Sequence, residues 1–254
     1  MALARQLAGA GARVAVSDVD GDAARATADR CADARAYRVD VADEAAVHNW
    51  AARVAADFGR VDGIVNNAGV ALTADVLTMT RADIADVIDI DFWGVVHGSQ
   101  AFLPHLIASG DGHLVNISSV FGLIGVPSQS AYNAAKFAVR GFTESLRQEM
   151  RLAGHPVAVT CVHPGGVRTN VVRNSRALGD YRHAELVERF DRILARTTAD
   201  AAAATIIRGM RRRRARVLVG FDAYAIDATV RLLGPAYQRV VTAGTRRARI
   251  GPPR

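Results

Sequence analysis

Gly112-His-Leu-Val-Asn-Ile-Ser-Ser-Val-Phe-Gly-Leu-Ile-Gly-Val-Pro-Ser-Gln-Ser-Ala-Tyr-Asn-Ala-Ala-Lys136 is the stretch that decides how the chain is read. Leu114 to Ile117 is a short, mostly apolar run cut off by small residues, the pattern of a buried strand. Two hydroxyls, Ser118 and Ser119, stand where that strand ends. Gly122, Gly125 and Pro127 make the next segment a loop, and a helix begins near Ser130. That helix carries Tyr132 and Lys136, four residues apart and therefore one above the other on one face. A hydroxyl at a strand end facing a Tyr/Lys pair suggests proton transfer. An ammonium at Lys136 would stabilise a tyrosinate and lower the Tyr132 pKa toward working pH, and Ser119 would donate to a substrate oxygen. A packed tyrosine next to a solvated lysine would carry the same Tyr-x-x-x-Lys signature. The strand, the serines and the Gly/Pro loop favour chemistry.

Outward from this stretch, strands and helices alternate. Upstream, residues 2–9 read as the tail of an amphipathic helix stopped by Gly9 and Gly11. Arg13 to Ser17 is a strand ending in Asp18, residues 22–31 a helix, and Arg35 to Val39 a strand leading into Asp40-Val41. A helix at about 43–57 is followed by the strand Val61 to Val65, which runs into Asn66-Asn67-Ala68-Gly69. One long helix spans roughly 82–108 and carries Asp91. Downstream, the helix at about 131–152 precedes the strand Val157 to Val162. That strand delivers His163-Pro164-Gly165-Gly166-Val167-Arg168-Thr169. Residues 170–197 mix charges with Leu186, Val187, Phe190 and Leu194 and read as a lid over substrate, or else as a solvated helical excursion. A helix at 198–209 capped by Thr198, a strand Arg216 to Val219 and a terminal helix over Gly220 to Val241, broken at Gly234-Pro235, complete the order. This order predicts an α/β fold with a doubly wound, Rossmann-type parallel sheet. The whole of 1–254 forms one domain, with 170–197 as the lid insertion and 220–254 as a C-terminal extension.

Asp18, at the carboxyl end of an early strand, would accept hydrogen bonds from both ribose hydroxyls of an adenosine and repel a 2′-phosphate. Asp18-Val19-Asp20-Gly21-Asp22 reads equally well as a turn and helix cap. Small residues at 66–69 let a dinucleotide lie close to the backbone, although an ordinary Asn/Gly turn looks alike. Pro164 and Gly165 turn the chain, so that backbone groups and the Thr169 hydroxyl could meet a carboxamide or phosphate.

Taken together, these residues resemble the classical short-chain dehydrogenases/reductases. That family has a serine thirteen residues before a catalytic tyrosine and a lysine four beyond it, the spacing of Ser119, Tyr132 and Lys136. The resemblance implies an NAD-dependent oxidoreductase acting on an alcohol/ketone pair. Tyr132 would be the general base or acid, Ser119 would hold the substrate oxygen, and Lys136 would bind the nicotinamide ribose and tune the tyrosine. It further implies Asp18 as the ribose-binding acid of NAD-preferring members, with NADP disfavoured, and Asp40 and Val41 beside the adenine. Asn67, Ala68 and Gly69 would border the cofactor, and Pro164, Gly165, Val167 and Thr169 would fix its nicotinamide end. Asp91 stands where the family normally has an asparagine that serves the catalytic lysine through a water. An ionised carboxylate there accepts but cannot donate, which leaves it to accept from that water or to pair with Lys136. The stretch around Tyr132 and Gly-Phe-Asp-Ala near 220 look most like bacterial acetoin-dehydrogenase-like members. Small diols, long-chain alcohols or steroids fit the same residues. Val120, Phe121, Leu123, Ile124 and Val126, with the apolar members of 170–197, suggest a pocket for an apolar carbonyl compound. Family members form dimers or tetramers through the helices at 82–108 and 131–152.

Composition bounds the alternatives. Of 254 residues, 50% are apolar and 6% aromatic, enough for one large, mainly aliphatic core. Cys31 and Cys161 give neither a disulfide framework nor zinc spacing, which fits a reducing, cytoplasmic setting. No signal peptide is visible, and the apolar runs are too short to span a membrane. Trp93, His97 and His105 read as packing or surface residues, with no metal-ligand company. Much of the formal charge of +7 lies in the last fifth of the chain, densest at Arg211, Arg212, Arg213 and Arg214. This run reads as a solvated helix end or as a weak anionic-surface contact. No aromatic residues are interleaved, so nucleic acid is not expected.

A dinucleotide fold of this kind opens with a strand and a glycine-rich phosphate loop, and neither precedes residue 2. By the family's register that strand would lie between Arg13–Ser17 and Val61–Val65. Its absence would open two strand edges and remove donors for the pyrophosphate. The expectation is a chain that begins upstream of Met1 in its natural form. The rival reading is a non-catalytic relative, a binding or assembly protein without its phosphate loop.

Overall fold

The computed structural model describes residues 1–169, 171, 175–179, 181–189 and 195–247. In chain order the elements are α1 (Ala2–Gly9), β1 (Val14–Asp18), α2 (Gly21–Ala28), β2 (Ala34–Arg38), α3 (Glu44–Phe58), β3 (Gly63–Asn66), β4 (Leu72–Thr73), α4 (Arg81–Ile88) and α5 (Gly94–Ser109). They continue with β5 (Gly112–Ile117), α6 (Ser130–Leu152), β6 (Val157–Pro164), β7 (Arg176–Ala177), α7 (His183–Arg189), α8 (Ala199–Arg211), β8 (Arg216–Val219), α9 (Phe221–Leu233) and α10 (Tyr237–Arg247). Local chemistry sets many of the ends. The Asp20 carboxylate accepts from the first-turn N–H groups of Asp22 and Ala23, Asp43 caps α3 and Thr198 caps α8. Thr80 and Asp83 form a reciprocal capping box on α4. α3 and α5 stop at Gly59 and Gly110, both at left-handed φ of 77° and 79°.

The strands pair in parallel throughout. β3-β5-β6-β8 form one sheet and β1-β2 a second, while β4 and β7 make a short separate pair. Among the described residues no ladder joins β1 to β3, so one edge of each is open. The two parts nevertheless share a core. Tyr37 and Val39 at β2 pack in one apolar cluster with Ile64, Leu114 and Val159 of the larger sheet and Trp50 and Phe102 of the covering helices. On the opposite face Val115, Val162 and Val217 pack against Ala202 and Ile206 of α8, with Leu3 of α1 alongside. Helices thus cover both faces, as in a doubly wound sheet.

Two elements differ from the sequence reading. The single helix expected at 82–108 is α4 and α5 joined by a π-helical turn at Asp89–Trp93. This wider turn carries Asp91 into the interior, where it is fully buried. In the lid region, β7 pairs with β4 and α7 follows. Val187 is half-buried, and the side chain of Leu186, with Phe190 and Leu194, lies outside the described residues. The expected break near Gly234-Pro235 is present: α9 ends at Leu233, Gly234 takes φ 50°, and a short 3-10 turn leads into α10. Among the described residues no helix is long and apolar enough to cross a membrane.

Candidate active site

The residues singled out by sequence gather at the carboxyl ends of the parallel strands. Asp18 closes β1, Asp40 and Val41 follow β2, Asn67 to Gly69 follow β3, Ser119 follows β5, and Gly165 to Thr169 follow β6. That edge is where ligands bind in open α/β sheets. Ser119 is nearly buried and its Oγ accepts the Phe121 N–H at 3.1 Å, which fixes the hydroxyl at the strand end. Tyr132, in the first turn of α6, is within hydrogen-bonding reach of the Ser119 side chain. It meets Phe121 edge-on at 5.9 Å between ring centroids. One turn later, the Lys136 Nζ lies 5.5 Å from the centre of the Tyr132 ring. Lys136 is 3% exposed and donates to the Ile117 carbonyl at 3.3 Å. Ser119, Tyr132 and Lys136 are therefore one cluster.

Asp91 is the fourth member. Its Oδ2 lies 3.0 Å from Lys136 Nζ, and its Oδ1 accepts the Val70 N–H at 2.7 Å. Gly69 sits directly over the pair: a Cβ there would lie 3.4 Å from both carboxylate oxygens and from Nζ. Asp91 thus ties the Asn-Asn-Ala-Gly turn to the lysine. The Asp91 carboxylate is paired with Lys136.

The electrostatics correct one expectation. Spacing alone predicts that Lys136 draws the Tyr132 pKa down. In the fold Tyr132 is held above its ordinary value. Burial is the main cause, the Lys136 charge and the Ser119 hydrogen bond oppose it, and the Asp91 charge adds to it. Burial also pushes the Asp91 carboxyl up, against Lys136 and the Val70 N–H. For Lys136, burial favours the neutral amine, but Asp91 and then Tyr132 outweigh it and hold the ammonium above its ordinary range. The lysine is therefore a fixed cation whose field is shared between a carboxylate and a phenol.

On the cofactor side, Asp18 is exposed and one of its oxygens accepts the Asp20 N–H at 3.0 Å. Asp20, not Asp18, makes the helix cap. Asp40 Oδ1 accepts the Ala42 N–H, and Val41 packs against Gly94, where a Cβ would meet the valine at 2.8 Å. Asn67, Ala68 and Thr169 are exposed, Gly69, Pro164 and Gly165 half-buried, and Val167 buried in a bridge to Thr197. Of the apolar residues expected to line a substrate pocket, Val120, Leu123 and Ile124 are packed into the interior, while Phe121 and Val126 stay half-buried. Among the described residues no group of His, Cys, Asp or Glu could hold a metal ion.

The model of the family described as short chain dehydrogenase matches residues 1–178. The chain belongs to that family. The SadH protein of Mycobacterium tuberculosis is 53% identical to this dehydrogenase over 248 residues, 96% of this chain and 90% of its own. A short-chain dehydrogenase/reductase from Burkholderia phymatum, solved in complex with NAD, superposes with a TM-score of 0.84 at 28% identity, covering 93% of this chain and 89% of its own. A metagenomic short-chain oxidoreductase solved in complex with NADP gives 0.62 at 34% identity over 66% of this chain and 77% of its own.

Several residues that support the candidate site were not singled out by sequence. His163 is fully buried and its Nδ1 lies 2.9 Å from the Ser119 carbonyl, so β6 braces the serine from beneath. Burial lowers its pKa to about 4. A neutral ring then donates from Nδ1 to that carbonyl. Asn133, next to Tyr132, donates to the carbonyls of Phe121 and Ile124, both at 2.7 Å, and accepts from the Val126 N–H. These side-chain hydrogen bonds all go to the loop between Ser119 and the tyrosine. Asn66 donates to Asn116 and Asn116 to Thr143, a buried chain that fixes β3, β5 and α6 in register. Asp222, in the first turn of α9, accepts the Gly166 N–H at 2.6 Å, and a Cβ on Gly165 would fall 2.1 Å from its oxygen. A side chain at 165 would displace this carboxylate. His97, read as a packing residue, stacks on Trp93 and meets the Val41 carbonyl at 3.0 Å. The signals were weak because each partner is remote in sequence.

Proposed function

We propose that this short-chain dehydrogenase interconverts a secondary alcohol and a ketone, with NAD as the hydride partner. The observation that carries the reading is the Ser119–Tyr132–Lys136 cluster, a hydroxyl, a phenol and a fixed ammonium within a few ångströms at the carboxyl edge of the sheet. The strand ends fit a dinucleotide: small residues at 67–69 leave backbone accessible, and the Asp18 carboxylate is exposed at the end of β1, with one oxygen on the Asp20 N–H. When bound, NAD supplies or takes the hydride. The chain's residues manage the proton and the oxygen. Ser119 and Tyr132 hold the substrate oxygen, Tyr132 gives or takes the proton, and Lys136 stabilises the phenolate while it is charged. Asp18 favours NAD because its charge opposes a 2′-phosphate. Small acetoin-like hydroxyketones are the first substrate class to try, and the half-buried Phe121 and Val126 suit an apolar substituent. The exposed Trp93 and Phe137, on the π-helical turn and α6, suit a homo-oligomeric contact.

The second reading, a non-catalytic binding role, draws on β1 and β3 being unpaired with each other among the described residues. A screen of secondary alcohols and ketones, followed by nicotinamide absorbance, separates the two readings. Turnover that disappears in Tyr132→Phe supports the dehydrogenase. NAD binding without turnover of any class supports the binding role.

A further inference from the structure

We propose that the corner formed by the end of α6, the start of β6 and the turn after α8 is a second site, for a phosphate monoester or diphosphate group. A cavity of about 340 Å³ opens there, lined by Arg147, Arg151, His155, Val157, Ala158 and Arg213. It lies at the amino end of β6, whereas Pro164 at the other end borders the catalytic edge. Eight strand residues separate the two by roughly 25 Å. The pocket is independent of the catalytic reading.

Charge is unbalanced in this corner. Among the described residues neither Arg147 nor Arg151 has a carboxylate within ion-pair distance, and the acid partner of Arg213 is Asp111. Three guanidiniums therefore share one carboxylate. Arg147 Nη1 donates to the Val159 carbonyl at 2.6 Å and Nη2 to the Arg213 carbonyl at 3.4 Å, but its Nε is buried with no acceptor. Burial, and then the charges of Arg151 and Arg213, hold Arg147 below its ordinary pKa. A bound dianion would relieve the mutual repulsion.

The turn that carries Arg213 is fixed and strained. Arg213 has φ 50°, a left-handed conformation uncommon outside glycine. It is held by Arg213 N–H to the Met210 carbonyl, Arg214 N–H to the Gly209 carbonyl and the Thr160 hydroxyl to the Arg214 carbonyl. The arginine run thus has two parts. Arg213 lines the cavity, while Arg211, Arg212 and Arg214 are exposed at the α8 terminus, where the dipole favours cations. Planar guanidinium forks suit phosphate oxygens. No Phe, Tyr or Trp lines the cavity, which argues against a stacked nucleic-acid strand.

Calorimetric titration of the full chain with inorganic pyrophosphate at low ionic strength tests the assignment. Wild type should bind in the submillimolar range, and Arg151→Ala/Arg213→Ala should weaken binding by at least about tenfold. Arg239→Ala/Arg246→Ala, which removes the same charge from exposed positions on α10, should leave it unchanged. Arg151→Lys/Arg213→Lys keeps the charge and guards against a folding defect; it too should bind more weakly, because the bidentate fork is lost. Equal weakening by the two alanine pairs would mean diffuse attraction and overturn the site. So would wild-type binding that ignores Arg151 and Arg213, or no heat up to about 10 mM pyrophosphate. Binding of a short RNA or of phosphatidylserine vesicles without pyrophosphate binding would also overturn it.

Discussion

Replacing Asp91 by asparagine removes one charge from the interior at nearly constant shape and tests the electrostatics of the proposed proton transfer. Asp91 lies 3.0 Å from Lys136 Nζ, which lies 5.5 Å from the Tyr132 ring centre. In series these distances place the carboxylate no further than about 8.5 Å from the ring. At an effective dielectric of about 20, a unit charge at that distance is worth ~2 kcal/mol to a phenolate. The sign follows from the causes already identified. Burial chiefly keeps Tyr132 protonated and the Asp91 charge adds to it, so removing that charge lets the tyrosinate form at lower pH. Alcohol oxidation needs the tyrosinate. The rising limb of its kcat/KM profile should therefore move to lower pH, with a gain of roughly 10- to 30-fold at a fixed pH on that limb. Loss of a buried partner also leaves Lys136 less compensated and costs folding stability of about 3–5 kcal/mol, so a thermal melt must accompany the kinetics. The readout independent of turnover is the tyrosinate absorbance near the ultraviolet edge, titrated in Asp91→Asn against Asp91→Asn/Tyr132→Phe. A folded variant whose rising limb stays put, or moves to higher pH, would refute the reasoning.

Other consequences can be checked separately. Asp18→Ser should raise the NADP to NAD ratio of kcat/KM by roughly tenfold; an unchanged ratio would remove Asp18 from cofactor choice. His163 has its pKa lowered to about 4 from an ordinary 6.5, so between those values the unfolded chain binds a proton that the native one does not. Stability is then full above pH 6.5 and falls as pH drops toward 4, by on the order of 3 kcal/mol. Denaturant unfolding of His163→Gln should show a flatter slope across that window, and equal slopes would sink the attribution. Native-state hydrogen exchange should find the amides of β1 less protected than those of β5 by at least about tenfold, because β1 pairs on one side only; equal protection would mean that the two sheets open as one unit. The exposed Trp93 and Phe137 predict a dimer or tetramer by light scattering, weakened by Trp93→Ala/Phe137→Ala; a monomeric wild type would end that reading.

The sheet and most helix ends were legible because their causes are local. Apolar runs bounded by small residues became β5, β6 and β8, and Thr198 caps its helix where capping chemistry placed it. The Ser119–Tyr132–Lys136 cluster was legible for the same reason: a strand end and one helical turn bring its members together. The π-helical turn at Asp89–Trp93 was not. Its sequence has neither glycine nor proline, and the wider turn coincides with contacts made by Asp91 to Lys136 and Val70, on other elements. His163 under Ser119 and Asp222 under Gly166 were hidden likewise, since each contact spans 44 or 56 residues.

The direction of the Tyr132 shift shows how far spacing can carry a mechanistic reading. A lysine four residues from a tyrosine implies a lowered phenol pKa only if its field is undivided. Here Lys136 faces the Asp91 carboxylate at 3.0 Å and the Tyr132 ring at 5.5 Å, in a buried setting where neither charge is screened by water. Burial is the main reason the phenol keeps its proton, and the Asp91 charge adds to it against the Lys136 ammonium. A protonated phenol beside Ser119 is already the acid that ketone reduction requires, whereas alcohol oxidation must first remove that proton. The overall equilibrium is unaffected, but the rates are not. Reduction should hold its rate through neutral pH and decline only as Tyr132 titrates. Oxidation should climb over the same alkaline range, and an asparagine at position 91 should move both limbs to lower pH together, because one phenol controls them.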